Sequence, residues 1–202
     1  MLVLHDNLTS GNGYKARLLL AQLGIVYRRI EYDIDRQETR TPEFLAKNLN
    51  GRIPVLELED GSFLAESNAI AWYLAEGTPL LPADPRQRAE VLQWMFFEQN
   101  NHEPNIAGLR FWTMHAVPVT PLMELWRPAK HASGEAALGV MDGHLAARSF
   151  FVGERYSIAD IALYAYTHVA PEGGFDLAPF RHVRAWLARV AAQPGHIPIT
   201  RG

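Results

Sequence analysis

Residues 54–77, PVLELEDGSFLAESNAIAWYLAEG, hold two short apolar stretches followed by a single helical one. The stretches at 54–58 and 63–65 flank the turn signal Glu59-Asp60-Gly61, so they read as a β-hairpin. A helix over 67–75 follows at once and ends at Gly77. Upstream, residues 2–5 and 27–30 read as strands, and residues 14–23 read as a helix between them, closed by Gly24. Thr41 opens a further helix with Pro42 at its first position. The resulting order is βαβ, helix, ββ, helix. It decides against a dinucleotide fold, which Gly11-Asn12-Gly13-Tyr14-Lys15-Ala16 would otherwise invite as a G-x-G-x-x-A match with Glu31 as the ribose-binding acid. A doubly wound sheet needs more β-α units after the second strand, and here a hairpin and then a long stretch without clear strand signals take their place.

The stretch GTPLLPADP at 77–85 contains three prolines, and the composition turns helical after it. Helical signals cover 86–101, 135–148, 157–168 and 180–192. The expected division is therefore an α/β domain over 1–77, a linker over 78–85 and an all-helical domain over 86–202. With 202 residues, 48% of them hydrophobic, the chain is long enough to bury a substantial core. A net charge of −3 without a basic stripe speaks against nucleic acid as a partner. No signal peptide or membrane-length apolar run is visible, so a cytoplasmic location without membrane contact is expected. The cysteine count of 0 excludes a disulfide framework and a protein thiol nucleophile; thiol chemistry would have to arrive with a ligand. The 8 histidines show no H-x-x-x-H pair with an acid between, and His102 in NHEPN lacks a second ligand, so no metal is expected.

The polar turn Ser10-Gly11-Asn12-Gly13 stands at the mouth of the first helix, where unpartnered N–H groups and the helix dipole favour a phosphate, a carboxylate or a thiolate. Ser and Asn there also serve as plain caps.

The segments SGNGYKARLLLAQLG, NGRIPVLELEDG and LAESNAIAWYLAE together resemble the glutathione transferase family, along essentially the whole chain. The resemblance implies an α/β thioredoxin-like N-terminal domain that binds glutathione as co-substrate, an all-α C-terminal domain and a homodimer. It implies that Ile53-Pro54 is a cis bond whose backbone pairs with the cysteinyl part of glutathione. It further implies that Glu66 and Ser67 receive the γ-glutamyl ammonium and carboxylate, and that Arg52, helped by Thr39 or Arg40, attracts the glycyl carboxylate. The sulfur then arrives beside Ser10 and Asn12, the catalytic candidates. Ser10 aligns with the hydroxyl residue of several classes; Asn12-Gly13 resembles a class with stronger disulfide reduction, although Gly11 stands where that class usually has proline. Tyr14 is a further candidate, whose helical position favours packing. Phe97, Asn101, Phe111 and Trp112 are candidates for the second-substrate pocket.

The implied chemistry is physically reasonable. A thiol of pKa about 8.5 is mostly protonated at neutral pH, and lowering it by about two units requires about 2.7 kcal/mol. One hydrogen bond to the charged sulfur supplies about 1.5–3 kcal/mol and the helix dipole up to about 1 kcal/mol. The expected activity is transfer of glutathione to a hydrophobic small-molecule electrophile. Alternatives are disulfide-bond reduction, peroxide reduction or isomerisation on the same fold, or a non-catalytic binding or regulatory protein. Ser157-Ile158-Ala159-Asp160 reads as a structural capping motif, with Tyr156 and Ile161 as its hydrophobic staple.

Overall fold

Alternation along β1 (Leu2–Asp6) organises the first unit, because it sends Leu4 and Asp6 to one face of the sheet and Val3 and His5 to the other. The structure is a computed structural model that describes residues 1–115 and 117–202. It divides into two units, residues 1–78 with 193–202, and residues 79–192.

In the first unit β2 (Tyr27–Glu31) runs parallel to β1, β3 (Val55–Glu57) antiparallel to β1, and β4 (Phe63–Ala65) antiparallel to β3, in the order β2-β1-β3-β4. Leu4 faces Arg29 on one side and Leu56 on the other, and Leu56 faces Leu64. This is the mixed four-stranded sheet of a thioredoxin-like domain. Helix α1 (Gly11–Gln22) buries Leu18, Leu19 and Leu20 completely and packs against α3 (Ser67–Ala75), which buries Ile70, Ala71 and Ala75. Gly24 and Gly77 follow these helices at φ 66° and 75°, the left-handed step that ends a helix at little cost with glycine. The short α2 (Pro42–Leu45) is capped by Thr41, whose hydroxyl accepts from the Phe44 N–H. Phe44 meets the Tyr32 ring at 4.8 Å, and His5 is hydrogen-bonded to Tyr32 at 3.1 Å and to Glu57 at 3.0 Å.

Residues 193–202 belong to this unit, whereas the sequence reading assigned them to the helical domain. The reason lies in two buried polar side chains of α1 that need acceptors. The Tyr14 hydroxyl donates to the Ile197 carbonyl at 2.6 Å, and Arg17 donates to the carbonyls of Ile199 at 2.7 Å and Arg201 at 2.8 Å. Tyr14 is thereby a packing residue, fully buried.

The second unit is helical: α4 (Pro85–Phe97), a π-helical turn Glu98–His102, α5 (Glu103–Met114), α6 (Pro121–Leu145), α7 (Ile158–Thr167) and α8 (Arg181–Ala191). Two departures from the sequence reading stand out. Helix α5 lies where none was expected, and α6 starts at Pro121 and runs through Pro128 to reach the segment foreseen from residue 135. The first half of α6 exposes Leu122, Leu125 and Trp126, at 52%, 72% and 50%, so its apolar residues mark no core-facing stripe. Around α7 the expectation holds: Ser157 and Asp160 form a reciprocal capping box.

Candidate functional site

The site begins with the local chemistry of the α1 start. Ser10 sits at the N-cap with φ −71° and ψ 124°, and its hydroxyl oxygen accepts from the Gly13 N–H at 3.1 Å. That leaves the hydroxyl proton of Ser10 to point elsewhere. Asn12 lies within the first turn and is no cap; its amide oxygen accepts from the Ser67 hydroxyl at 3.0 Å. The two helix N-termini expected to take the sulfur and the γ-glutamyl group of the ligand are thus joined by one hydrogen bond.

Behind that bond stands Lys15, fully buried, whose ammonium donates to Ser67 Oγ and to Asn68 Oδ1, both at 3.4 Å. Lys15 is not among the residues that the motifs single out. Its spacing of three from Asn12 put both on one helix face, a cue that was available, but nothing local announces that a lysine will be buried.

Gly13 is required by a close approach. A Cβ at this position would lie 1.6 Å from Asp6 Oδ1, and Asp6 is itself buried and paired with Arg17 at 2.9 Å. Burial pushes the Asp6 carboxyl up to about 6, against the pull of Arg17 and Arg29. With the carboxyl held in place, Gly13→Ala is expected to destabilise the protein by about 1–3 kcal/mol through overpacking. Urea unfolding measures this, and an unchanged midpoint contradicts it.

Glu66, immediately before α3, is exposed and holds φ 69° and ψ 114°, a conformation rare for a side-chain-bearing residue. Such strain concentrates at functional sites. Ser67 is the buried first residue of α3. The Ile53–Pro54 bond is cis and directly precedes β3. Arg52 is exposed, and its carbonyl accepts from Asn48 Nδ2 at 2.8 Å. Arg40 is also exposed and donates to the Asn50 carbonyl at 2.9 Å, while Thr39 is buried at 5% exposure. Arg52 is therefore the better placed of the three to meet an anion from solvent.

In the helical unit Phe97 ends α4 and packs on Trp94 at 5.3 Å, and Asn101 is exposed in the π-helical turn. Phe111 is 44% exposed and stacks on His115 at 4.3 Å. Trp112 carries the cations of Arg127 and Lys130 over its ring at 5.7 and 5.9 Å. The π-helical turn places a buried Glu98 and a buried His102 between α4 and α5, with His102 Nε2 2.9 Å from Thr167 Oγ1.

Comparison with known proteins gives the family of the chain. The family described as the glutathione S-transferase N-terminal domain matches residues 2–76, and that of the glutathione S-transferase C-terminal domain matches residues 129–194. The disulfide-bond oxidoreductase YfcG of Escherichia coli is 33% identical over 190 residues, which cover 91% of this chain and 87% of YfcG. A crystal structure of a glutathione S-transferase from Pseudomonas fluorescens superposes with a TM-score of 0.95 at 49% identity, covering 99% of both chains. A glutathione transferase from Pseudomonas putida, solved with one glutathione disulfide bound per subunit, superposes with a TM-score of 0.84 at 30% identity, covering 96% of this chain and 88% of that one. A thioredoxin-like first unit, a helical second unit and both family matches make this chain a member of the glutathione S-transferase family.

Proposed function

We propose that this protein binds glutathione and holds its sulfur as a thiolate at the first turn of α1, for attack on a hydrophobic electrophile. The observation that supports this reading best is the hydrogen bond from Ser67 to Asn12, which ties the start of α3 to the start of α1. In the proposed pose Glu66 and the first turn of α3 take the γ-glutamyl group, the backbone at Ile53 pairs with the cysteinyl part, and Arg52 draws the glycyl carboxylate. Thr39 and Arg40 shape the loop beside Arg52. Asn12 donates to the sulfur through its amide N–H, and the Ser10 hydroxyl adds a second donor. In conjugation the sulfur forms a bond to an electrophilic carbon while the bond from that carbon to its leaving group breaks. Phe111 and Trp112, with Phe97 and Asn101, are the surface of the helical unit proposed for a hydrophobic second substrate.

A second reading is disulfide exchange, favoured by the name of the Escherichia coli relative and by the glutathione disulfide bound in the Pseudomonas putida neighbour. Because the chain holds 0 cysteines, the protein supplies no sulfur: glutathione brings the attacking one and the disulfide substrate brings the other two. One thiolate attacks a mixed disulfide, the S–S bond breaks, the departing thiolate takes a proton, and glutathione disulfide leaves. Turnover of an aryl halide set beside turnover of a glutathione mixed disulfide separates the two readings. We expect retention on immobilised glutathione together with activity on at least one substrate. A protein that is not retained and turns over neither substrate contradicts the proposal and points to a non-catalytic relative.

A further inference from the structure

The outer end of the seam between α5 and α6 carries two cations without a counter-charge. Pro104, Gly108 and Trp112 follow one another at intervals of four and lie on one face of α5; Arg127, Lys130 and Gly134, at intervals of three and four, lie on one face of α6. These two faces meet. At the inner end the buried Gly134 lets Phe175 approach, since a Cβ there would stand 2.4 Å from the Phe175 ring and 3.3 Å from Ile106. Further out, Lys130 Nζ lies beside Gly108 and donates to the Pro104 carbonyl at 2.7 Å. At the outer end the Arg127 guanidinium and the Lys130 ammonium share one ring, that of Trp112, at 5.7 and 5.9 Å from its centre.

The face of an indole attracts a cation but leaves its charge uncancelled, and two like charges three residues apart on a helix repel each other. Among the described residues neither Arg127 nor Lys130 has a carboxylate partner. The acids nearby are turned to other groups: Glu135 faces His131 at 3.7 Å, and Glu172 is held by Arg110 at 2.6 Å. Lys130 at least has the Pro104 carbonyl. Arg127 has only the ring among the described residues, so the N–H donors of its guanidinium remain for solvent or for a ligand. Its chain neighbour Trp126 and the neighbour of Trp112, Phe111, are both exposed, as is Leu122 one turn earlier on α6. An uncompensated planar cation among exposed aromatic residues suits a ligand with an apolar body and a carboxylate, which a guanidinium receives through two parallel hydrogen bonds.

We propose that the second substrate is an aromatic organic anion and that Arg127 receives its carboxylate, with Lys130 as the neighbouring positive charge. This inference rests on the glutathione reading above and deepens it. The hydrophobic electrophile becomes a charged one, and Arg127 becomes the residue that selects it.

Two conjugates of equal shape test it: S-(4-carboxybenzyl)glutathione, which carries the charge, and S-(4-carbamoylbenzyl)glutathione, which does not. Titration calorimetry gives the affinity of each for wild type, for Arg127→Met, which keeps the apolar stem, and for Arg127→Lys, which keeps the charge without the planar fork. Wild type is expected to bind the carboxylate about tenfold more tightly than the amide. In Arg127→Met the two affinities should agree within about twofold, and Arg127→Lys should retain an intermediate preference. Equal affinities in wild type overturn the inference, and so does a preference that survives Arg127→Met. A wild type that binds glutathione but does not tell the conjugates apart sinks this inference alone. One that binds neither glutathione nor either conjugate brings down the glutathione reading with it.

Discussion

Asp160→Ala is expected to lower the stability of the protein by about 3–5 kcal/mol, without any contact to the proposed glutathione site. Asp160 is completely buried and its two oxygens take four hydrogen bonds. One oxygen accepts from the Phe151 N–H at 3.2 Å and from Trp186 Nε1 at 2.9 Å; the other accepts from the N–H and the hydroxyl of Ser157, at 3.0 and 3.1 Å. Removing the carboxylate breaks the capping box of α7, which alone costs about 0.5–2 kcal/mol. It also strands the indole N–H of a fully buried Trp186 and the Phe151 N–H, at about 1–3 kcal/mol for each orphaned donor. These contributions share one site and do not simply add. For a chain of this size the expected fall in Tm is roughly 6–20 °C, and a fall of less than about 2 °C contradicts the account.

The same carboxyl carries a pH signature. Complete burial pushes it up to about 6, against the pull of the hydrogen bonds from Trp186, Phe151 and Ser157. A carboxyl whose folded value is raised holds its proton more tightly in the folded state, so its contribution to stability is fully present below the ordinary value and is lost as pH rises through about 6. Asp160→Asn has no such proton to lose. The stability difference between wild type and Asp160→Asn is therefore expected to be largest near pH 4 and to shrink toward pH 7, in urea unfolding at matched ionic strength.

Much of the first unit is legible in the chain because its punctuation is local. Glu59-Asp60-Gly61 forces a hairpin, Thr41-Pro42 opens a helix, and Gly24 and Gly77 close two others at positive φ. The α7 start is legible for the same reason, since a capping box needs only four consecutive residues. Helices α5 and the first half of α6 escape such reading. Glu103-Pro104 and Pro121 resemble breaks as much as beginnings, Pro128 interrupts the pattern, and Leu125 and Trp126 face outward. Residues 193–202 escape it too, because their place is set by the buried donors of Tyr14 and Arg17, residues that lie far away in sequence.

At the site, the candidates Ser10, Asn12, Glu66 and Ser67 were readable from residue type and motif, but their division of labour was not. Ser10 and Asn12 look equally apt as donors until the structure gives Ser10 the cap and Asn12 the bond to Ser67. The burial of Lys15 and its bonds to Ser67 and Asn68 join α1 to α3 and leave no local mark in the chain. Spacing alone cannot report how two distant segments pack.

Asn12→Ala is expected to have the largest effect on chemistry. A hydrogen bond to a charged sulfur contributes about 1.5–3 kcal/mol, so its loss should raise the thiol pKa of bound glutathione by about one to two units. Near pH 6.5 that corresponds to a fall of about tenfold or more in the thiolate fraction and in kcat/KM. Ser10→Ala should act mainly on stability, by about 0.5–2 kcal/mol through the lost cap, with a smaller change in the thiol. The most direct test of the account is the ultraviolet thiolate absorbance of bound glutathione against pH, in wild type and in Asn12→Ala. The expected result is a thiol lowered by a unit or more in wild type and returned toward its free value in Asn12→Ala. A wild-type protein that binds glutathione with an unshifted thiol would contradict it.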